Sequence, residues 1–217
     1  MMQLHHYPST AAMIPHIVLE EIGAPYQLVH VDRAADAHKA PAYLRLNPNG
    51  LLPTLVDGDL VLYEAAAIVL HLCDTHPQAQ LAPAPGTAER AQFYKWLVWL
   101  TNTLQATLIV YFYPERWVNE GNEGAKAEVK RHAEARVGVL LGLLDDHLAA
   151  QSGPWFFGDR YTAVDAYVFT LCRWTRGFRN ETPARSGTHI GPYLQRMLER
   201  PAVQRVIASD KLEPPLV

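Results

Sequence analysis

The amino-acid pattern changes character once, at Leu81-Ala82-Pro83-Ala84-Pro85-Gly86. Before that segment, short β-type runs alternate with helical stretches. After it, strand signals stop. A chain divided this way builds its only sheet from the first eighty residues and packs the remainder as helix on helix. The 217 residues are comfortable for two such bodies. The reading is residues 1–80 as a first domain, 81–86 as a linker and 87–217 as an all-helical second domain.

In the first part, Leu4 opens a short strand that ends at Pro8, and a helix is expected over 11–22. Ile14, Val18 and Ile22 recur at helical spacing there, Pro15 is tolerated only in an early turn, and Gly23 is placed as a left-handed stop. Residues 26–31 alternate as a strand. A short helix over 36–46 ends at Asn47-Pro48-Asn49-Gly50. Thr54-Leu55-Val56 and Leu60-Val61-Leu62 flank the tight-turn signal Asp57-Gly58-Asp59, and a helix over 64–75 follows. The order βαβαββα gives a parallel crossover followed by an antiparallel hairpin, a thioredoxin-like layer.

Beyond the linker, Thr87 caps a long helix reaching about residue 112, and a second long helix covers 123–150. Thr162-Ala163-Val164-Asp165 reads as a capping box for an apolar helix running to Trp174. Helices over 190–199 and 202–209 complete the chain.

Bulk properties exclude several classes of function. A formal charge of −3 gives no electrostatic footprint for nucleic acid or an anionic membrane. Cys73 and Cys172 form no Cys-x-x-Cys motif and suit a reducing compartment. The N-terminus lacks the basic and apolar regions of a signal peptide, and no apolar run is long enough to span a bilayer, so a cytoplasmic location is expected. The ten histidines show no metal-binding spacing: His5 and His6 face opposite ways in a strand, and His71 and His76 miss the i, i+4 face. No metal cofactor is expected.

Three local motifs sharpen the reading. Asn47-Pro48-Asn49-Gly50-Leu51-Leu52-Pro53-Thr54-Leu55, Leu62-Tyr63-Glu64-Ala65-Ala66-Ala67-Ile68 and Gly158-Asp159-Arg160-Tyr161-Thr162-Ala163-Val164-Asp165 occur in this order along the chain. Together with the two-part organisation they resemble the glutathione transferase family, over essentially the whole length. The resemblance implies a glutathione site on the thioredoxin-like domain, covered by the helical one. It also implies a twofold homodimer and activity toward a small, partly apolar electrophile.

The same resemblance assigns residues. Pro53 would be a cis proline, whose bend turns the Leu52 backbone outward to pair with the cysteinyl backbone of glutathione. Glu64 and Ala65 would hold the γ-glutamyl end: free amides at a helix start favour a carboxylate, and Glu64 takes the ammonium. The plainer reading of Glu64 is a favourable first-turn acid. The family usually has Ser where this chain has Ala65. A hydrogen bond to a charged group contributes about 1.5–3 kcal/mol, so its loss weakens binding roughly ten- to a hundredfold. Lys39 lies where relatives often place a base near the glycine carboxylate, and it reads equally as a solvated helix lysine.

The thiol-activating group of the family lies in Tyr7-Pro8-Ser9-Thr10-Ala11-Ala12. Aligning Pro15-His16-Ile17-Val18-Leu19 with beta-class members puts Ala11 where they carry cysteine, so mixed-disulfide chemistry is not expected. The catalytic serine of theta- and zeta-like members falls on Ser9. A one-residue loop shift moves the role to Thr10, and Tyr7 is a third candidate. Lowering a thiol pKa by two units requires about 2.7 kcal/mol, which one hydroxyl donor supplies. Ser9 also reads as a plain N-cap. Asn102 resembles a beta-class helix asparagine. Tyr111, Tyr113 and Trp117 suggest an apolar second-substrate pocket, or core aromatics. Two other readings of the chain are a non-catalytic binding protein on this scaffold and a glutathione-dependent reductase or isomerase.

Overall fold

A computed structural model describes residues 1–217. It forms two compact units, Met1–Ala84 with Leu198–Glu213, and Pro85–Met197 with Pro214–Val217. Each unit is described separately.

The first unit is a four-stranded sheet with helices. The strands are β1 (Met2–His6), β2 (Tyr26–His30), β3 (Thr54–Asp57) and β4 (Leu60–Tyr63), in spatial order β2-β1-β3-β4. β1 runs parallel to β2, and β3 is antiparallel to both β1 and β4. Leu4 and Leu55, register partners at the centre of the sheet, are fully buried. Helix α1 (Met13–Ile22) buries Ile14, Ile17 and Val18, and α3 (Ala65–Thr75) buries Ile68, Val69 and Leu72. Gly23 at φ 71° closes α1, its N–H donating to the Leu19 carbonyl, as the sequence indicates.

Two features of this unit differ from the sequence reading. The helix expected over 36–46 is a 3-10 turn (Ala37–Lys39) followed by the short α2 (Pro41–Leu44). Pro41 holds Ala40 in extended backbone at ψ 146°, which breaks the segment and restarts it. The second difference is that residues 198–213 join this unit rather than the helical one. Helix α9 (Pro201–Ser209) buries Ala202, Val203 and Val206. At its N-terminal end Arg200 grips Glu21 with two hydrogen bonds, 2.6 and 2.8 Å, and Arg205 pairs with Glu20. Contacts to α1 from nearly two hundred residues away leave no local signal in the sequence.

The second unit is helical: α4 (Ala88–Trp99), a π-helical stretch (Leu100–Gln105), α5 (Ala106–Phe112), α6 (Glu123–Ala149), α7 (Ala163–Trp174) and most of α8 (Ile190–Glu199). The capping box forms as the sequence indicates. The Thr162 N–H donates to Asp165 Oδ2 at 2.8 Å, while Thr162 Oγ1 accepts from the helix amides. Asp165 is fully buried and also receives the Phe156 N–H at 2.8 Å and the Tyr193 hydroxyl at 3.1 Å. Burial pushes its carboxyl up to about 6, against the pull of these donors. No helix is long and apolar enough to cross a membrane.

Candidate functional site at one end of the sheet

Register alone brings the candidate residues together. His5 pairs with Thr54, and Thr54 pairs with Tyr63. His6 pairs with His30. The chain therefore leaves β1 at Tyr7, enters β3 from Pro53, leaves β4 at Glu64 and leaves β2 at Val31, all at one edge. Tyr7–Thr10, Leu52–Pro53, Glu64–Ala65 and the Lys39 loop are neighbours at this end of the sheet. Three of the five non-glycine residues at positive φ, Ser9 (60°), Asp36 (55°) and Glu64 (71°), sit in these loops. Such strain is of the kind that persists where a site requires it.

The β1–α1 loop is braced by its own threonine. Thr10 Oγ1 donates to the Tyr7 carbonyl at 2.7 Å and accepts from the Ala12 N–H at 3.3 Å. The single hydroxyl proton of Thr10 is thus committed inside the loop. The Tyr7 ring lies against His30, with centroids 5.5 Å apart. Ala11 is buried and offers no reactive group. Helix α1 begins without a side-chain cap at Ala12, but its first amides are met inside the loop. The Met13 and Ile14 N–H groups donate to the Thr10 and Ala11 carbonyls at 3.1 and 3.2 Å, and Pro15 has none, so α1 offers the positive end of its dipole and not open donors.

The loop before β3 is held from below. The Leu52–Pro53 bond is cis. The Leu51 carbonyl accepts from Tyr43 Oη at 2.7 Å and from Asn47 Nδ2 at 2.9 Å, and Thr54 Oγ1 lies 2.9 Å from the same tyrosine hydroxyl. Gly50, at φ 59°, passes so close to the His38 carbonyl that a Cβ would sit 3.1 Å from it. Leu52 remains half-buried while the backbone on either side of it is fixed.

Glu64 sits at the N-cap position of α3 at φ 71°, ψ 113°, and its exposed carboxylate does not cap its own helix. Ala65 is the first helical residue and is buried. Lys39 is exposed and pairs with Asp36 at 3.0 Å, which lowers the Asp36 carboxyl.

The three aromatic candidates separate. Tyr111 is buried against Phe178, with centroids 4.6 Å apart, and burial raises its hydroxyl pKa, which favours the core reading of the two the sequence left open. Tyr113 carries the Arg116 guanidinium 4.1 Å over its ring. Trp117 is exposed and lines an open, mainly apolar groove of about 660 Å³ with Ala106, Thr107, Val110 and Val129. Asn102 lies exposed in the π-helical stretch. Cys73 and Cys172 are buried and form no disulfide, and burial pushes the Cys172 thiol up to about 12, so Cys172 is not poised as a nucleophile.

The comparisons with known proteins fit this geometry. The family described as glutathione S-transferase, N-terminal domain, matches residues 1–74, and its C-terminal-domain counterpart matches 111–210. The chain is 30% identical to glutathione S-transferase GstA of Escherichia coli O157:H7 over 98% of its own length and all of that protein's. The chain belongs to the glutathione S-transferase family. Membership makes it an enzyme of glutathione transfer. It is also 31% identical to glutathione S-transferase GST-4.5 of Xanthomonas campestris, over 97% of this chain and all of that one. Among solved structures, the glutathione transferase homologue from Sulfitobacter with bound glutathione superposes with a TM-score of 0.87 at 26% identity, covering 98% of this chain and 99% of that one.

Proposed function

We propose that this glutathione transferase binds the tripeptide across β4, β3 and β1 and activates its thiol with Ser9. The observation that carries this reading is the end of the sheet where α3 begins without a side-chain cap, in register with the loop before β3 and with the strand that leads into the β1–α1 loop. β1 and β4 flank β3, so they lie two strand spacings apart, about 10 Å. An extended tripeptide spans about the same distance.

In this arrangement the γ-glutamyl carboxylate meets the first amides of α3, and Glu64 receives the ammonium. The Leu52 backbone pairs with the cysteinyl residue, and Lys39 faces the glycine carboxylate. The sulfur then points toward the start of α1. There the Ser9 hydroxyl and the helix dipole stabilise the thiolate, the thiol proton passing to solvent. The sulfur lone pair forms a bond to an electrophilic carbon, and the leaving group departs with its bonding electrons. Thr10 supports the loop instead of the thiolate, because its proton already goes to Tyr7. Trp117, exposed on the open, mainly apolar groove of the helical unit, and Tyr113 are the candidates on that unit for holding the apolar part of a second substrate. A homodimer and a cytoplasmic location belong to the same reading.

Ser9→Ala tests it. Turnover should fall roughly 10- to 100-fold as the bound thiol's pKa rises, with glutathione affinity within about threefold of wild type. Thr10→Ala should instead lower thermal stability, with a smaller loss of turnover. Unchanged turnover in Ser9→Ala would remove Ser9 as the activator.

A further inference from the structure

Beneath the β1–α1 loop, three side chains from distant parts of the sequence meet in the interior of the first unit. His6 ends β1, His16 lies in α1 and Asp210 caps the C-terminus of α9. Their side chains are 9%, 1% and 2% exposed. Both histidines aim Nδ1 at the same carboxylate oxygen, Asp210 Oδ1, at 3.5 and 3.6 Å. One donor atom from each residue lies within 4.8 Å of the other two. We propose that His6, His16 and Asp210 form a buried structural site for one divalent ion of the Zn²⁺ type, fixing α9 to the sheet unit.

The distances suit an ion better than direct hydrogen bonds. An N–H···O bond between an imidazole and a carboxylate settles near 2.7–2.9 Å. Here both contacts are longer, and the buried His16 Nδ1 makes no hydrogen bond at all. Four-coordinate zinc with bonds of about 2.0–2.2 Å holds adjacent ligand atoms about 3.4 Å apart, the edge of the tetrahedron. The two measured Nδ1–Oδ1 separations fall within about 0.2 Å of that edge. Two neutral imidazoles and one carboxylate form a donor set suited to a borderline cation. A water or hydroxide would complete the tetrahedron.

The surroundings would orient the ligands. The Tyr26 ring packs edge-on against His16 with centroids 5.8 Å apart, while its hydroxyl engages Glu20 of α1. His30 packs edge-on against His6, also at 5.8 Å. These ring contacts restrain the orientation of both imidazoles. The ligands lie at positions 6, 16 and 210, so no local spacing marks the site in the sequence. The proposal does not depend on the assignment of Ser9 or on glutathione binding.

The test uses untagged full-length protein stripped with a chelator. Titration with zinc chloride in a calorimeter should show one equivalent bound per chain. Cobalt(II) in its place should give the intense visible bands of tetrahedral coordination. Asp210→Asn and His16→Asn should each weaken zinc binding at least 100-fold, and His132→Asn, an exposed histidine elsewhere, should leave it unchanged. If either site variant fails to fold by circular dichroism, the cobalt spectrum of the wild-type protein decides. Intense bands support the site. Weak octahedral bands, no stoichiometric uptake, or uptake that survives in folded Asp210→Asn overturns it and leaves a plain histidine–aspartate cluster.

Discussion

The two units treat their backbone amides in opposite ways. In the helical unit the chain supplies its own acceptors. Thr87 caps α4, Asn122 caps α6 and the Thr162–Asp165 pair caps α7. The start of α8 is covered by Asp145 of α6, whose Oδ1 accepts from the His189 and Ile190 N–H groups at 2.8 Å each. Glu134, also on α6 and buried, accepts from the amides of Arg179, Asn180 and Glu181. In the first unit, α1 and α3 begin with no side-chain cap, and at both entrances a non-glycine residue is held at positive φ. Donors satisfied internally stabilise the fold. Donors left open at a strained edge, as at the start of α3, are available to an anion, whereas at α1 the loop's own carbonyls take the first amides. On the proposed reading, the difference separates the part of this transferase that holds shape from the part that meets glutathione.

The sharpest way to break that contrast is Asp165→Ala. It leaves the buried amides of Phe156 and Thr162 without their acceptor, while the Tyr193 hydroxyl keeps only the backbone carbonyl of residue 165. At about 1–3 kcal/mol per orphaned group, a loss of roughly 3–5 kcal/mol is expected in denaturant unfolding. A loss below about 1 kcal/mol would mean that the helical unit does not depend on internal capping.

The opposite substitution belongs at the open edge. Ala65→Ser adds a hydroxyl at the first position of α3, and glutathione binding should tighten about tenfold, the low end of a hydrogen bond to a charged group. Stability should barely change. Calorimetric titration of both proteins reads this directly, and equal affinities would place the γ-glutamyl carboxylate elsewhere.

Glu134 gives the comparison a pH dependence. Desolvation pushes its carboxyl up, but donation from the Asn180 side chain and three backbone amides outweighs this and leaves the pKa lowered. A lowered folded-state pKa means that the stabilisation is present above the unfolded value, near 4.5, and is lost as pH falls through the lower folded value. Glu134→Gln should cost roughly 1.5 kcal/mol at pH 7, the difference between a charged and a neutral acceptor. It should also flatten the decline of melting temperature between pH 5 and pH 3. Parallel acid limbs for the two proteins would remove Glu134 from this role.

The smallest effect is expected at an exposed cap. Asn122→Ala removes the acceptor for the Ala125 N–H and should cost about 1 kcal/mol, with turnover unchanged. A loss of turnover larger than the loss of stability would show that the start of α6 bears on catalysis after all.

Most of the fold was legible because it rests on local chemistry. The hairpin at Asp57-Gly58-Asp59, the stop at Gly23 and the box at Thr162–Asp165 are each specified by residues a few positions apart. Pro41 carried a signal that could have divided the helix expected over 36–46, since the residue before a proline avoids helical backbone. Tyr111 shows the converse. Its aromatic character suggested a pocket wall, yet an aromatic ring is equally at home in a core, and only the placement of Phe178 decides between them.

By itself the sequence determined where strands end and helices begin, which residue types stand at each loop, and the resemblance to the family. These follow from periodicity, capping and turn chemistry, all of short range. Only the tertiary structure decided that Thr10 is committed to Tyr7 while Ser9 lies beside it in the left-handed region. It alone returned α9 to the first unit and brought His6, His16 and Asp210 face to face. The reason is physical: strand register and the packing of distant helices determine which residues become neighbours, and neither is set by separation along the chain.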